Sequence, residues 1–423
     1  MQSPCSRLAA SSVSSVLVAA RNEESGIGDT VAQLRKDFPS AEVIVVVGAS
    51  TDETAERAEK AGAVVIRLNR PGKGEALSAG ERAAPQGALL LCDADLRGSL
   101  APLAESNADL AVAVFKHPVG GGFGIAKRVA RSLIHLRTGF RPQEPLSGQR
   151  LVGERARIAC FPVAGGFGCE TRMTIDALRA GLRLEEIPLD LEHRATGRDA
   201  VGFAHRGRQL VDAVLSAGPL GINHRGVRLP LLGWAVALPG LWAPRRTGVA
   251  VAAIAAIGLA DDLWSGPERG VAGHLREGRT TGVLKLVGIP AVAAVATRSL
   301  RGALLVGLSA NALNQLDTKP GRALKAFLGV SLFRGMPEGG YSLMAVLLVP
   351  YDLRERMMLG DAGSNALGAV LGLSLVASLR GRALWPAIAL LAALNVLGER
   401  RSLGKLIEST PWLARIDRLG RPR

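Results

Sequence analysis

Carboxylates adjoin apolar runs in three places in this 423-residue chain. "ALLLCDADL" ends on Asp93 and Asp95, "AIAAIGLADDLW" ends on Asp261 and Asp262, and "MMLGDAGSNALG" sets Asp361 before another apolar stretch. An ionised carboxylate beside apolar sequence is costly unless something offsets its charge. Two carboxylates spaced i, i+2 at the end of a buried strand are poor choices for stability alone. They suit a hard divalent cation, which favours oxygen ligands, keeps some waters and needs only one or two protein carboxylates while it bridges a diphosphate. In the later region Asn311, Asn314 and Asp317 recur every third residue in "SANALNQLDTKPGRALK", along one helical face. Carboxylates gathered in a low-dielectric site repel one another unless a cation is present, and magnesium is the simplest offset.

The first pair needs a sheet to position it. "SVLVAA", "AEVIVVVGAS" and "ALLLCDADL" are continuous apolar runs separated by amphipathic segments such as "DTVAQLRKDF" and "DETAERAEKAG", a pattern that predicts an α/β domain with a parallel sheet covered on both faces. Ligands of such sheets bind beyond the carboxyl ends of the strands. Arg21 to Glu24, Gly48 to Thr54 and Asp93 to Asp95 therefore share one edge. "ASTDET" also reads as a helix start with a capping Ser or Thr.

The remaining carboxylates need a different solvent. From Leu229 to Gly398 one charge-poor apolar stretch follows another; most are shorter than the roughly 20 residues of an isolated span and so also fit buried helices of a soluble domain, but several are apolar all round with Gly and Ala at close-packing positions, which favours a compact bundle of about six membrane-spanning helices. The formal charge of +15 suits an anionic membrane surface; with aromatic residues at 4% and no basic motif interleaved with aromatics, nucleic acid is excluded as a partner. Four cysteines without C-x-x-C spacing indicate a reducing compartment. "SVLVAA" reads as a first strand and not as a signal peptide, which keeps the first half cytoplasmic. The basic tail "GERRSLGKLIESTPWLARIDRLGRPR" reads as an interfacial helix pair or a bundle cap.

Taken together, "VLVAARNEE", "VIVVVGASTDET", "RPGKGEALSAG" and "LLLCDADL" resemble the family 2 glycosyltransferases, whose GT-A fold binds nucleotide sugars. The resemblance implies a base and ribose pocket at Ala19, Arg21 and Glu23, nucleotide contacts from Asp52, Lys73 and Asp93, and Mg²⁺ or Mn²⁺ held by Asp93 and Asp95. The second strand ends "VVGAS" where members commonly carry an acidic pair. "PLSGQRLV" and the segment from Gly165 to Asp199 look like the acceptor half of that fold, most similar to the branch of glucosyl-3-phosphoglycerate synthase and polyprenyl-phosphate sugar transferases. That match maps His193 onto the metal shell, with a solvated surface histidine as the alternative. Asp95 and Glu170 are the catalytic candidates; Glu170 is either a base for an acceptor hydroxyl or a helix-start glutamate. The segment His117 to Pro142 is glycine-rich and then basic, so Lys127, Arg128 and Arg131 either grip an anionic acceptor or headgroup, or form a solvated helix face.

The second half resembles the polyprenyl-phosphate N-acetylhexosamine-1-phosphate transferases through "NHRGVRLPLLG", "GLADDLW", "NALNQLD" and "LGDAGSNALG". That resemblance implies a second, membrane-embedded site in which Asp261 and Asp262 face a polyprenyl phosphate and metal, Asn314 and Asp317 line the site, and Asp361 binds Mg²⁺. Pro320 stands where the family repeats an aspartate, and no histidine-rich loop follows Asp361. The expected organisation is a GT-A glycosyltransferase domain over residues 1–215, a polytopic all-α membrane domain over 216–400 and a basic amphipathic tail over 401–423. The expected function is transfer of a sugar from a nucleotide-sugar donor to a polyprenyl-phosphate or polyprenyl-linked acceptor, by a multi-pass cell-membrane protein. In one alternative the membrane half also transfers a sugar phosphate; in another it is a non-catalytic lipid scaffold.

Overall fold

The computed structural model describes residues 13–116, 124–191, 200–264, 280–335, 338–379 and 381–421. They form two compact units, one of Met1–Gly218 with Gly226–Arg228, the other of Pro219–Arg225 with Leu229–Arg423.

The first unit is built on a seven-stranded sheet. Its strands are β1 (Val13–Ala20), β2 (Glu42–Gly48), β3 (Val64–Leu68), β4 (Ala88–Asp93), β5 (Leu110–Phe115), β6 (Arg150–Val152) and β7 (Leu184–Leu189), in the order β3-β2-β1-β4-β6-β5-β7. The expected runs are β1, β2 and β4, and they lie side by side in parallel. The sheet is mixed and not wholly parallel, because the three-residue β6 runs antiparallel between β4 and β5. Strand alternation divides the core. Val16, Val18, Val45 and Leu90 face one layer with Ile27, Val31 and Leu34 of helix α1 (Ile27–Asp37), while Leu17, Ile44, Val46, Leu89 and Leu91 face the other. Burial on both faces is why these strands read as continuous apolar runs. Helices α2 (Thr54–Lys60), α3 (Lys73–Ala83), α4 (Ala101–Ala104), α5 (Ile125–Thr138), α6 (Glu154–Cys160), α7 (Cys169–Arg179) and α8 (Ala200–Ser216) complete the unit.

The second unit is helical, with α9 (Arg245–Trp264), α10 (Thr280–Thr297), α11 (Leu300–Leu316), α12 (Arg322–Phe333), α13 (Gly340–Leu353), α14 (Gly360–Ser378), α15 (Leu384–Arg401), α16 (Leu403–Ser409) and α17 (Pro411–Arg418). Helix α14 is the centre of the bundle, buried almost continuously from Gly360 to Gly372. It approaches α9 so closely that a Cβ at Gly258 would lie 2.4 Å from the Asp361 carbonyl oxygen. The small residues read from the sequence as close-packing positions do pack in this way. The first apolar stretch, "LPLLGWAVALPGLWAP", holds no long helix: Gly233–Leu241 is a 3₁₀ segment, with Pro239 interrupting regular helix. Among the described residues one helix, Gly381–Arg401, is long and apolar enough to cross a membrane, at a mean hydropathy of 1.4; Leu284–Thr297 and Gly340–Leu353 are shorter apolar helices. The tail helices dock on this unit through Arg322, whose buried guanidinium donates to Asp417 and Glu408.

Candidate active site and a second polar cluster

The register of the central strands sets the first site. Ala19 pairs with Val46 on one side and with Asp93 on the other, so the ends of β1, β2 and β4 are level. Beyond them the chain turns sharply, with Asn22 and Ala49 both at positive φ. The two turns are stitched together. The Glu24 amide donates to Asp52 Oδ2 at 3.2 Å, the Thr54 amide and hydroxyl donate to Asp52 Oδ1, and the Glu23 amide donates to Thr54 Oγ1 at 2.8 Å. Burial would raise the Asp52 carboxyl, but these hydrogen bonds outweigh it and hold the group below the usual aspartate range. Asp52 therefore orders the loops that carry Arg21 and Glu23; the Arg21 side chain is exposed.

On the other side of Ala19 the structure brings three of the expected residues together. Lys73, the first residue of α3, places its ammonium 2.6 Å from Asp93 Oδ1 and 2.6 Å from Glu170 Oε1. Gln149 Nε2 donates to Asp93 Oδ2 at 3.1 Å, and the Cys169 thiol donates to Glu170 Oε2 at 3.0 Å. Burial would lower the Lys73 ammonium, yet Asp93 and Glu170 hold it well above its ordinary value, so it stays charged. Burial pushes the Cys169 thiol well up, which keeps it a neutral donor. Glu170 is itself buried in the first turn of α7. Asp95, two residues past Asp93, is half-buried at the same edge. Arg150, fully buried, donates to the carbonyls of Ser147 and Pro145 and to Thr174, and so braces the segment that presents Gln149. His193 and residues 117–123 lie outside the described residues. Within the basic segment, Lys127 pairs with Glu144, and Arg131 donates to the Pro142 and Gln143 carbonyls.

In the second unit a separate polar cluster forms. The Asp262 carboxylate accepts from the backbone amides of Asp361 at 2.9 Å and Ala362 at 3.0 Å, which caps the start of α14. Lys285 of α10 pairs with Asp361 Oδ2 and lies 3.7 Å from Asp261 Oδ2. With the Asn314 amide oriented to satisfy all its neighbours, its oxygen accepts from Lys285 Nζ at 2.7 Å and its nitrogen donates to Asp361 Oδ1 and Ser364 Oγ at 2.9 Å. Asp317 ends α11 and its carboxylate accepts from the Gly360 amide. Asn311, three residues before Asn314, turns instead to Asn395 of α15.

Residues 15–126 match the family model described as glycosyl transferase family 2. The first unit carries a family 2 glycosyltransferase domain. Glucosyl-3-phosphoglycerate synthase of Mycolicibacterium smegmatis is 29% identical over 250 residues, which span 51% of this chain and 80% of that protein. Glycosyltransferase AglJ of Haloferax volcanii is 29% identical over 196 residues, spanning 44% of this chain and 64% of its own. Among solved structures, glucosyl-3-phosphoglycerate synthase of Mycobacterium tuberculosis in complex with Mn²⁺, uridine diphosphate and phosphoglyceric acid is 26% identical, with a TM-score of 0.41, covering 48% of this chain and 78% of that one.

The donor set of the glycosyltransferase domain fits a hard divalent cation. Asp93 and Asp95 offer oxygen ligands at the carboxyl edge of the sheet. Gly148 keeps the space beside the first carboxylate open, since a Cβ there would lie 2.4 Å from Asp93 Oδ2. No group of three or more His, Cys, Asp or Glu side chains is arranged to hold a metal among the described residues, which do not include His193. Sequence pattern alone does not mark Gln149, a single polar residue within "PLSGQRLV"; Lys285 does carry a signal, as a lone cation in the first turns of an apolar helix.

Proposed function

We propose that the chain is a metal-dependent membrane glycosyltransferase that moves a sugar from a nucleotide-sugar donor to a polyprenyl-phosphate or polyprenyl-linked acceptor held by its second unit. The observation that carries the catalytic half of this reading is Lys73 bridging Asp93 and Glu170 at the carboxyl edge of a family 2 domain. Positive charge fixed there stands where the departing nucleoside diphosphate develops negative charge, the largest electrostatic term in such transfers. Asp93 and Asp95 would hold Mg²⁺ or Mn²⁺, which when bound neutralises the donor diphosphate. Ala19, Arg21 and Glu23 receive the base and ribose, on turns that Asp52 keeps in place. Glu170 is the base for an acceptor hydroxyl once Lys73 turns to the diphosphate; a phosphate acceptor, already ionised near neutral pH, needs none.

The membrane half of the reading rests on the outer surface of the bundle. Phe333 is 93% exposed, Trp242 84% and Leu300 80%, with Val295, Leu343 and Leu390 also turned outward. Leu136 and Ile158 of the first unit are comparably exposed, but such side chains are far more numerous on the second, where they fit a lipid environment better than water. The protein is then multi-pass, with the glycosyltransferase domain on the cytoplasmic side where nucleotide sugars are supplied. A second reading, in which this unit transfers a sugar phosphate, is favoured by the meeting of Asp261, Asp262, Asn314 and Asp361 and opposed by Pro320.

The test is a transfer assay with the full chain in detergent, short polyprenyl phosphate, Mn²⁺ or Mg²⁺ and a panel of nucleotide sugars that includes UDP-glucose. Formation of a glycosyl lipid that Asp95→Ala abolishes supports the reading, and turnover by that variant removes the catalytic assignment. Extraction of the expressing membranes with alkaline carbonate checks the other half: release into the supernatant would sink the membrane assignment.

A further inference from the structure

The resemblance of the second half implies a metal at Asp361, and the residues around it do not fit one. Both oxygens of Asp262 are taken by backbone amides of α14. Asp361 gives one oxygen to Lys285 and the other to Asn314. The Asn314 oxygen in turn faces the same ammonium, and Asp261 lies at its side. The Lys285 ammonium thus donates to acceptors from α11 and α14 and pairs at 3.7 Å with the Asp261 carboxylate of α9, while the lysine itself belongs to α10. A carboxylate cluster in a low-dielectric interior needs a positive charge among its members.

We propose that Lys285 is that charge: a tethered ammonium that takes the place of a divalent cation, pins four helices together and leaves the second unit with no metal site at Asp361. A metal at such a place would couple binding to folding, so that a chelator would loosen the unit. A lysine carried by the chain makes the bundle indifferent to free cations. The single-site consequence, that the metal requirement lies in the first unit alone, rests on the function proposed above; the absence of a metal at Asp361 does not.

All five tryptophans, Trp234, Trp242, Trp264, Trp385 and Trp412, belong to the second unit, so intrinsic fluorescence reports its unfolding selectively. The experiment follows the thermal midpoint of the full chain in detergent, in EDTA and across a Mn²⁺ or Mg²⁺ titration. An Asp93→Asn, Asp95→Asn background removes the first unit's carboxylates from the response. The expected result is a midpoint constant to within about 1 °C across the titration. Lys285→Met lowers the midpoint and makes it climb with added Mn²⁺, and Lys285→Met with Asp361→Asn recovers most of the loss. A midpoint that rises with cation concentration when Lys285 is intact overturns the proposal, and so does a Lys285→Met chain that melts and responds as the parent does. Should Lys285→Met fail to fold, the titration of the chain with Lys285 intact decides alone. Sugar transfer is read separately, so loss of the catalytic reading would leave this result standing, and the reverse.

Discussion

Two lysines in this chain hold carboxylates together, with opposite consequences. Lys73 joins Asp93 at the end of a strand to Glu170 in the first turn of a helix, at the open edge of a sheet. Lys285 joins partners from three other helices in the middle of a bundle. At a sheet edge the ion pair can be rearranged by an arriving diphosphate, because the strands beneath are held by their own ladder. Inside a close-packed bundle the same exchange would shift helices whose backbones already touch, as Gly258 and Asp361 do. The chemistry of the pair is alike in both places; the attachment of its members decides whether it serves a ligand or the fold.

The comparison can be broken first at Asp93 and Asp95. Alanine at either should lower sugar transfer by about a thousandfold or more while the calorimetric melt of the full chain, which includes the first unit's transition, stays at its parent midpoint. A melt that moved with Asp93 would show that the edge is structural after all. Next in size, Arg322→Ala removes the buried partner that Asp417 and Glu408 share, leaving Asp417 with Arg421 and Glu408 with Lys319, and should cost about 2 kcal/mol, read by denaturant unfolding of the second unit. A smaller effect is expected at Gly148→Ala, where the new methyl crowds Asp93: transfer should fall by roughly tenfold to a hundredfold and the half-saturating metal concentration should rise.

The smallest effect is a pH dependence of the tail. Burial alone would raise the Asp417 carboxyl, but hydrogen bonds from Arg322 and Arg421 outweigh it and bring the group down to about 2 from its ordinary 3.8. A folded-state value below the unfolded one gives stability that is full above the ordinary aspartate range and fades as pH falls toward 2. Protection against hydrogen exchange along α16 and α17, taken relative to the intrinsic rate at each pH, should therefore be constant down to about pH 4 and fall below it. Asp417→Asn should exchange fast throughout and lose that acid-side step.

Much of this was legible in the sequence, for reasons that differ by element. Strands β1, β2 and β4 are buried on both faces and announce themselves as apolar runs, so the shared edge of Ala19, Asp52 and Asp93 follows from them. The three-residue β6 leaves no such trace, so apolar runs alone predict a parallel sheet where the structure has a mixed one. Polar residues within apolar sequence signalled the second cluster, and Asp261, Asp262, Asn314, Asp317 and Asp361 do converge on α14 and the helices around it. Helical spacing placed Asn311 with Asn314, yet three residues rotate a side chain enough to meet a different neighbour, Asn395. Neither lysine pairing was readable, because it depends on partners 20 or 76 residues apart along the chain.

The most direct test of the account is the identity of the nucleotide released when the full chain in detergent is given polyprenyl phosphate, Mn²⁺ and its nucleotide sugar. Release of nucleoside diphosphate that disappears with Asp95→Ala is the result predicted. Release of nucleoside monophosphate that survives Asp95→Ala and disappears with Asp361→Asn would contradict it, and would move the chemistry from the sheet edge to the bundle.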